Sequence, residues 1–406
     1  MKYREKSDAP LYKLFAFFYN VVHKRNKMQG RKLMLYFDYA ASAPMIPAAA
    51  KQAAELMENA YGNPSSLHAA AAAPRKLLRE SRDTMAELLG ITRETIIFTS
   101  GGTESNNWAL TMAALSSGKR RIVLAANEHS SVLLPARRMK QLGFTVTELP
   151  PDRYGRILPE TVEGMLTKDT ALLSVHAVNN ETGTVQDIEA MAALAHRCGA
   201  LYHCDAVQSF GHIDLPLSCA DFISLSAHKF GGGRGAGVLA VKDTAALKPL
   251  LLGGKQEYGL RAGTENVPAI AAMALAAEIS CASIAQEQPR IEALSSLLLR
   301  LLREKTKVVL NSGDAPHCGG IHSLRFPGMN GEELLTRLNE RGICISAGAA
   351  CAAGNKAPSH ILTAMGLSAE EAKESVRISF GRETTEEHVY TLANAILTVS
   401  GKGEVL

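Results

Sequence analysis

The chain lacks paired cysteines. Its seven (Cys198, Cys204, Cys219, Cys281, Cys318, Cys344 and Cys351) are odd in number and form no CxxC. That excludes a disulfide framework and a zinc ribbon, and it points to a reducing, cytoplasmic setting. There is no HExxH motif either, and the twelve histidines are scattered. His317, Cys318 and His322 are too few for zinc, so no metal is expected. Long apolar runs are absent as well. The stretch Leu11 to Val22 is broken by Lys13 and Asn20, short of the roughly 20 residues that span a bilayer. His23-Lys24-Arg25 follows it where a signal peptide needs small residues, so no membrane span or export signal is expected. With 46% hydrophobic and 21% charged residues the composition is ordinary for a globular protein, and no repeat or flexible linker interrupts it.

The net charge of +4 is confined to one end. Residues 1–33 carry nine Lys/Arg against Glu5 and Asp8, a net of +7 that leaves −3 for residues 34–406. The body therefore lacks the basic stripe of a nucleic-acid binder, and no direct nucleic-acid partner is expected. The basic leader, 1–33, reads as an extension outside the functional unit, which opens at Met34. A basic amphipathic helix on a membrane surface is the alternative reading.

From residue 95 onward, short β-rich runs alternate with longer Ala/Leu/Met-rich helical stretches such as Asp187–Cys198. The runs are Thr95–Thr99, Arg121–Leu124, Ala171–Val175, Ala200–Cys204, Asp221–Leu225 and Gly237–Val241. This alternation predicts an α/β fold: a mostly parallel sheet covered by helices on both faces, with ligands bound outside the carboxyl ends of its strands. A long helix over Gln286–Lys305 leads into a smaller αβ region. The expected units are 34–46, joining the small domain; 47–285, the large domain; and 286–406, the small domain.

Four stretches carry chemistry. Ser100-Gly101-Gly102-Thr103 follows a strand and opens a helix, where glycine lets the backbone approach a phosphate and the first-turn N–H groups favour it. Ser226-Ala227-His228-Lys229 follows the strand Asp221–Leu225, placing a lysine amine at the binding rim. A desolvated amine of this kind can bond to an aldehyde cofactor. Asp205 closes another strand, with Gln208 just beyond, and can pair with a pyridinium nitrogen. A cradle, a rim lysine and a rim aspartate on one sheet together point to pyridoxal phosphate. The fourth stretch, Ile345 to Lys356, is a run of small residues around Cys351, which predicts an exposed thiol. Cys198, Cys204, Cys219, Cys281 and Cys344 read as core residues instead.

In these motifs, and in their order, the chain resembles a cysteine desulfurase of the class V pyridoxal-phosphate aminotransferase superfamily. The resemblance runs from Tyr36 to the C-terminal region. It includes Tyr36-Phe37-Asp38-Tyr39-Ala40-Ala41, Gly62-Asn63-Pro64-Ser65-Ser66, Glu128-His129, Val178-Asn179-Asn180-Glu181-Thr182-Gly183, Asp205-Ala206-Val207-Gln208, Arg261-Ala262-Gly263-Thr264-Glu265-Asn266 and Ser375-Val376-Arg377-Ile378-Ser379. It implies a fold type I enzyme, a homodimer, that converts L-cysteine to L-alanine. Lys229 would hold the cofactor and move the substrate's α-proton. Asp205 would meet the ring nitrogen, and Gln208 and Asn180 the phenolic side. His129 would stack on the ring and assist proton transfer. Gly102, Thr103, Ser226 and His228 would receive the phosphate, joined by Thr264 of the second copy. Arg377 would grip the substrate carboxylate, with Asn180 beside it, and Cys351 would take the sulfur as a persulfide.

The length of the Cys351 loop implies the long-loop group, which serves sulfur acceptors for iron–sulfur clusters or tRNA thiolation. Departures from the family pattern are Gly102 where alanine is usual, Gly231-Gly232-Gly233-Arg234-Gly235 after the lysine, Lys255 and Tyr258 in a glycine-rich stretch, and alanines 349, 352 and 353 in the loop. Competing readings are a selenocysteine lyase, a cysteine-sulfinate desulfinase, another class V aminotransferase-like enzyme, or a non-catalytic sulfur-relay binding paralogue.

Overall fold

A computed structural model describes residues 34–244, 247–347 and 357–403. The basic leader and Cys351 lie outside the described residues. β1 (Leu35–Tyr36) comes first. The central sheet follows with β2 (Ile96–Thr99), β3 (Arg121–Ala125), β4 (Thr145–Leu149), β5 (Thr170–Ser174), β6 (Leu201–Asp205), β7 (Phe222–Ser226) and β8 (Gly237–Val241), in spatial order β2-β8-β7-β6-β5-β3-β4. The neighbours from β7 through β4 pair in parallel. Only β8 runs against its partners, β2 and β7. The mostly parallel sheet expected from the alternation is present.

Alternate residues of each strand serve opposite faces. Ile96, Phe98, Val123 and Ala125 join one core, under the helices Pro47–Asn59, Ala72–Leu89, Ile188–Arg197 and Val267–Ala282. Ile97, Ile122 and Leu124 join the other, with Trp108 and the helix Ser130–Met139. The helix Val267–Ala282 starts where Asn266 Oδ1 accepts from the Ala269 N–H and Pro268 fits the first turn. Its run of alanines lets it lie buried between Pro47–Asn59 and Ala72–Leu89.

A third core belongs to the C-terminal part. It packs the helices Ile284–Arg303 and Glu386–Val399 on β9 (Val309–Leu310), β10 (Ile321–Arg325) and β12 (Ser375–Ser379), an antiparallel sheet of order β12-β10-β9. β11 (Ile343–Cys344) pairs in parallel with β1, and Phe37 lies in the same core. Residues 35–38 are thus fastened to the C-terminal part, while the next residues run to the rim of the central sheet.

β2 is an edge strand, and a buried ion pair covers its open side. Arg82 forks onto Glu257 at 2.9 and 2.7 Å. Glu257 accepts the Phe98 N–H at 2.8 Å, and Arg82 also donates to the Ile96 carbonyl. The pair takes the hydrogen bonds that a further strand would take, one way to close an edge. Glu257 and Tyr258 adopt positive φ, 47° and 60°, to bring the carboxylate there.

Candidate active site

Strand ends and the turns after them converge on a cleft of about 520 Å³, a size suited to a small-molecule cofactor. Ser100, Gly101, Gly102 and Thr103 line one end of it, at the start of the helix Gly102–Trp108. Backbones crowd there: a Cβ on Gly237 would stand 2.5 Å from Gly101 Cα, and one on Gly102 would stand 2.7 Å from Val207 Cγ2. Ser226, the last residue of β7, and His228 in the following turn line the same cleft. Burial, with the positive charge of Lys229 adding to it, pushes the His228 imidazole down to about 4. Its ring is neutral at physiological pH, and Nδ1 lies 3.3 Å from Ser42 Oγ.

Lys229 sits one residue on, half-buried. Its Nζ donates to the carbonyls of Ala40 (2.6 Å) and Ala41 (3.1 Å). Gln208 Nε2 donates to the same Ala40 carbonyl at 2.9 Å. Asp205 closes β6 and is almost fully buried. One carboxylate oxygen accepts the Val207 N–H at 3.0 Å and the other accepts Asn106 Nδ2 at 2.7 Å. His129 caps the helix Ser130–Met139, its Nδ1 accepting the Ser131 N–H at 3.1 Å.

Asn180 lines the cleft, and its carbonyl accepts from Arg377 Nη1 at 3.0 Å. Arg377, on β12 and 3% exposed, pairs its Nη2 with Asp38 at 2.8 Å. Its Nε–H has no hydrogen-bond partner among the described residues, and each Nη keeps a second N–H. The guanidinium is therefore oriented by protein groups yet retains donors for a carboxylate.

The sequence analysis expected these residues at one rim, and the fold brings Gly102, Thr103, His129, Asn180, Asp205, Gln208, Ser226, His228, Lys229 and Arg377 to one cleft. Thr264 is not among the residues lining it and is exposed. Cys351 lies outside the described residues, but both flanks of its segment are tied at the cleft. Ser346 exchanges backbone hydrogen bonds with Arg377. On the far side, Ser359 Oγ donates to Glu181 Oε2 at 2.6 Å, and His360 Nε2 lies 2.9 Å from the Glu128 carbonyl. Glu181 is buried, and that burial raises its carboxyl above the ordinary range.

The residue set fits pyridoxal phosphate: a glycine turn with hydroxyls for a phosphate, a carboxylate for a ring nitrogen, and an amine, all lining one cleft. Four contributors received no role from the sequence: Asn106, Ser131, Asp38 and Glu181. Asp38 and Glu181 lie inside the family motifs, a signal that marks them without saying what they touch, and Asn106 stands three residues beyond the Ser100–Thr103 turn. The cysteines expected in the core are a partial correction. Cys204 is buried, but Cys198, Cys219, Cys281 and Cys344 are only half-buried because they stand at element ends or helix margins; Cys318 is buried beside Ile321.

The aminotransferase class-V family model matches residues 35–392. A putative cysteine desulfurase IscS 1 of Bacillus subtilis is 38% identical over 371 residues, covering 90% of this chain and 98% of the relative. A cysteine desulfurase IscS of Dictyoglomus turgidum is 36% identical over 367 residues, covering 89% and 93%. Among solved structures, a NifS-like protein superposes with a TM-score of 0.85 at 31% identity, covering 91% of this chain and all of the other. A structure of SspA in complex with cysteine has a TM-score of 0.76 at 35% identity, covering 85% and 98%.

Proposed function

This chain belongs to the aminotransferase class-V family as a pyridoxal-phosphate-dependent cysteine desulfurase, and we propose that it passes the sulfur of L-cysteine through Cys351 to an acceptor protein. When bound, the cofactor supplies an electron sink that labilises bonds at the substrate's α-carbon. The chain's residues do the rest. Lys229 Nζ would hold the cofactor's aldehyde carbon and would take the substrate's α-proton. Asp205 would pair with the ring nitrogen and keep it charged, Gln208 and Asn180 would meet the phenolic side, and His129 would lie against the ring. Gly102, Thr103, Ser226 and His228 would receive the phosphate, with Thr264 supplied by a second copy of the chain. Arg377 orients the substrate carboxylate.

The Cys351 thiolate attacks the substrate sulfur. The C–S bond breaks, an S–S bond forms on Cys351, and the electron pair stays with the carbon skeleton, which is protonated and leaves as alanine. The neutral sulfur atom then moves to an iron–sulfur scaffold or a tRNA-thiolation enzyme. The observation that carries this reading is the amine of Lys229 within one cleft with the carboxylate of Asp205, while both flanks of the Cys351 segment are tied to that cleft. No single helix among the described residues is long and apolar enough to cross a membrane.

The test is to incubate the purified, cofactor-loaded protein with L-cysteine. Alanine should form, and mass spectrometry should find one added sulfur atom on the Cys351 peptide. Sulfur transfer that persists unchanged in Cys351→Ala would overturn the assignment of the nucleophile.

A further inference from the structure

A line of hydrogen bonds joins Asp205 to His129 beneath the cleft. Asn106 is 1% exposed and uses Nδ2 twice, toward Asp205 Oδ2 at 2.7 Å and toward Ser131 Oγ at 2.8 Å. Ser131 Oγ lies 2.8 Å from His129 Nδ1, and the Ser131 N–H points at that same nitrogen at 3.1 Å. Asn106 Oδ1 is buried and has no hydrogen-bond partner among the described residues.

The proton positions follow from the acceptor at the start of the line. Asp205 already accepts from the Val207 N–H with its other oxygen, so an ionised carboxylate there can only accept. The Asn106 amide must then present its NH₂, since the reverse orientation would set two oxygens against each other. With both amide protons committed, Ser131 Oγ is an acceptor from Asn106 and its own proton goes to His129 Nδ1. Two donors on Nδ1 leave the imidazole proton on Nε2.

We infer that Asn106 and Ser131 are positioning residues that carry the orientation of the Asp205 carboxylate to His129 and fix the imidazole proton on Nε2. In this arrangement His129 is a hydrogen-bond donor from Nε2 in its neutral state. Charging the ring would require a proton on Nδ1, where two donors already point, so the neutral ring is favoured. Removing the Ser131 hydroxyl takes away one of those donors. Removing the Asn106 amide frees the hydroxyl to turn and accept from Nδ1–H. Either change makes the imidazolium easier to form.

Other ionisable groups line the same cleft as the ring: Glu104 and Glu128, His176 and Glu181 after β5, His228, Lys229 and Arg234 after β7, and His360 and Arg377 from the C-terminal part. All are retained in the variants, so differences between variants isolate the Asp205–Asn106–Ser131 line.

The inference rests on the reading of Asp205 and His129 as cofactor-facing residues, and its test does not use turnover. Cofactor-loaded protein with isotope-labelled histidine nitrogens is titrated by NMR, His129 being assigned by the signal lost in His129→Gln. The wild type should show an unprotonated Nδ1 and a protonated Nε2 in the neutral ring. In Ser131→Ala and Asn106→Leu the His129 midpoint should rise by about one pH unit, a tenfold change of the order expected from one hydrogen bond. Ser131→Thr, which keeps the hydroxyl, should restore it. A wild-type proton on Nδ1, or an unmoved midpoint in folded, cofactor-loaded variants, would overturn the inference. If Asn106→Leu fails to fold, the wild-type tautomer and Ser131→Ala decide. Should cysteine yield no alanine while the tautomer is as stated, the desulfurase reading fails and the positioning role stands.

Discussion

Replacing Glu257 with alanine should destabilise the protein severely. Arg82 is 8% exposed at its side chain and Glu257 2%, so neither charge reaches water when its partner is removed. Breaking a buried pair from one side costs about 3–5 kcal/mol, because the surviving charge stays desolvated. The Phe98 N–H loses its acceptor in the same stroke. A double replacement, Arg82→Met with Glu257→Leu, removes both charges and should recover most of the loss. A residual deficit of about 1–3 kcal/mol remains for the uncovered Phe98 N–H. Glu257→Gln, which keeps one acceptor oxygen for Phe98, should fall between wild type and alanine. The measurement is a double-mutant cycle by denaturant unfolding of the cofactor-loaded protein. A loss below about 1 kcal/mol in Glu257→Ala, or additive single losses in the cycle, would refute the reasoning, since buried partners must couple.

Gly102→Ala restores the residue usual in the family but sets a Cβ 2.7 Å from Val207 Cγ2. It should cost about 1–3 kcal/mol in stability or cofactor affinity, read by absorbance titration, and Val207→Ala should relieve it. Arg377→Lys keeps the charge but loses the planar fork. The KM for cysteine should rise roughly 10- to 100-fold, the weight of a charge-assisted hydrogen bond, and an unchanged KM would remove Arg377 from the substrate site. Burial holds His203 and His228 down to about 4, and His322 to about 3, against an ordinary 6.5. These rings protonate more readily when unfolded, so their contribution is whole above pH 6.5 and is lost as pH falls toward 4 and below. Denaturation midpoints should fall across that window, less steeply in His322→Gln; a flat profile would contradict the assignment.

Much of the site was legible because parallel sheets write themselves as apolar runs ended by functional residues. Asp205 and Lys229 each follow such a run, and that position alone put them at the rim. β4 was missed for the opposite reason: Thr145–Leu149 is an edge strand of mixed polarity, half-exposed along most of its length. The reversal of β8 was also hidden, since strand direction depends on the path of the connection rather than on the residues of the strand. Pairings across long separations stayed silent too. Nothing in the string joins Asp38 to Arg377 across 339 positions, or Arg82 to Glu257 across 175. Those contacts exist only after the fold has brought the partners together.

The carbonyl of Ala40 sets a rule for dissecting this molecule. It accepts from Lys229 and Gln208, yet the residues just before it are fixed to the C-terminal sheet, where Asp38 bridges Ser379 and the Ala40 N–H meets Ser379 Oγ. A fragment cut to begin at Pro47 would keep the seven-stranded sheet and strip the reactive amine of the Ala40 and Ala41 carbonyls. Expressing the large sheet by itself, or moving the ends of the chain by circular permutation into residues 37–42, would therefore reach the reaction centre from what looks like a margin.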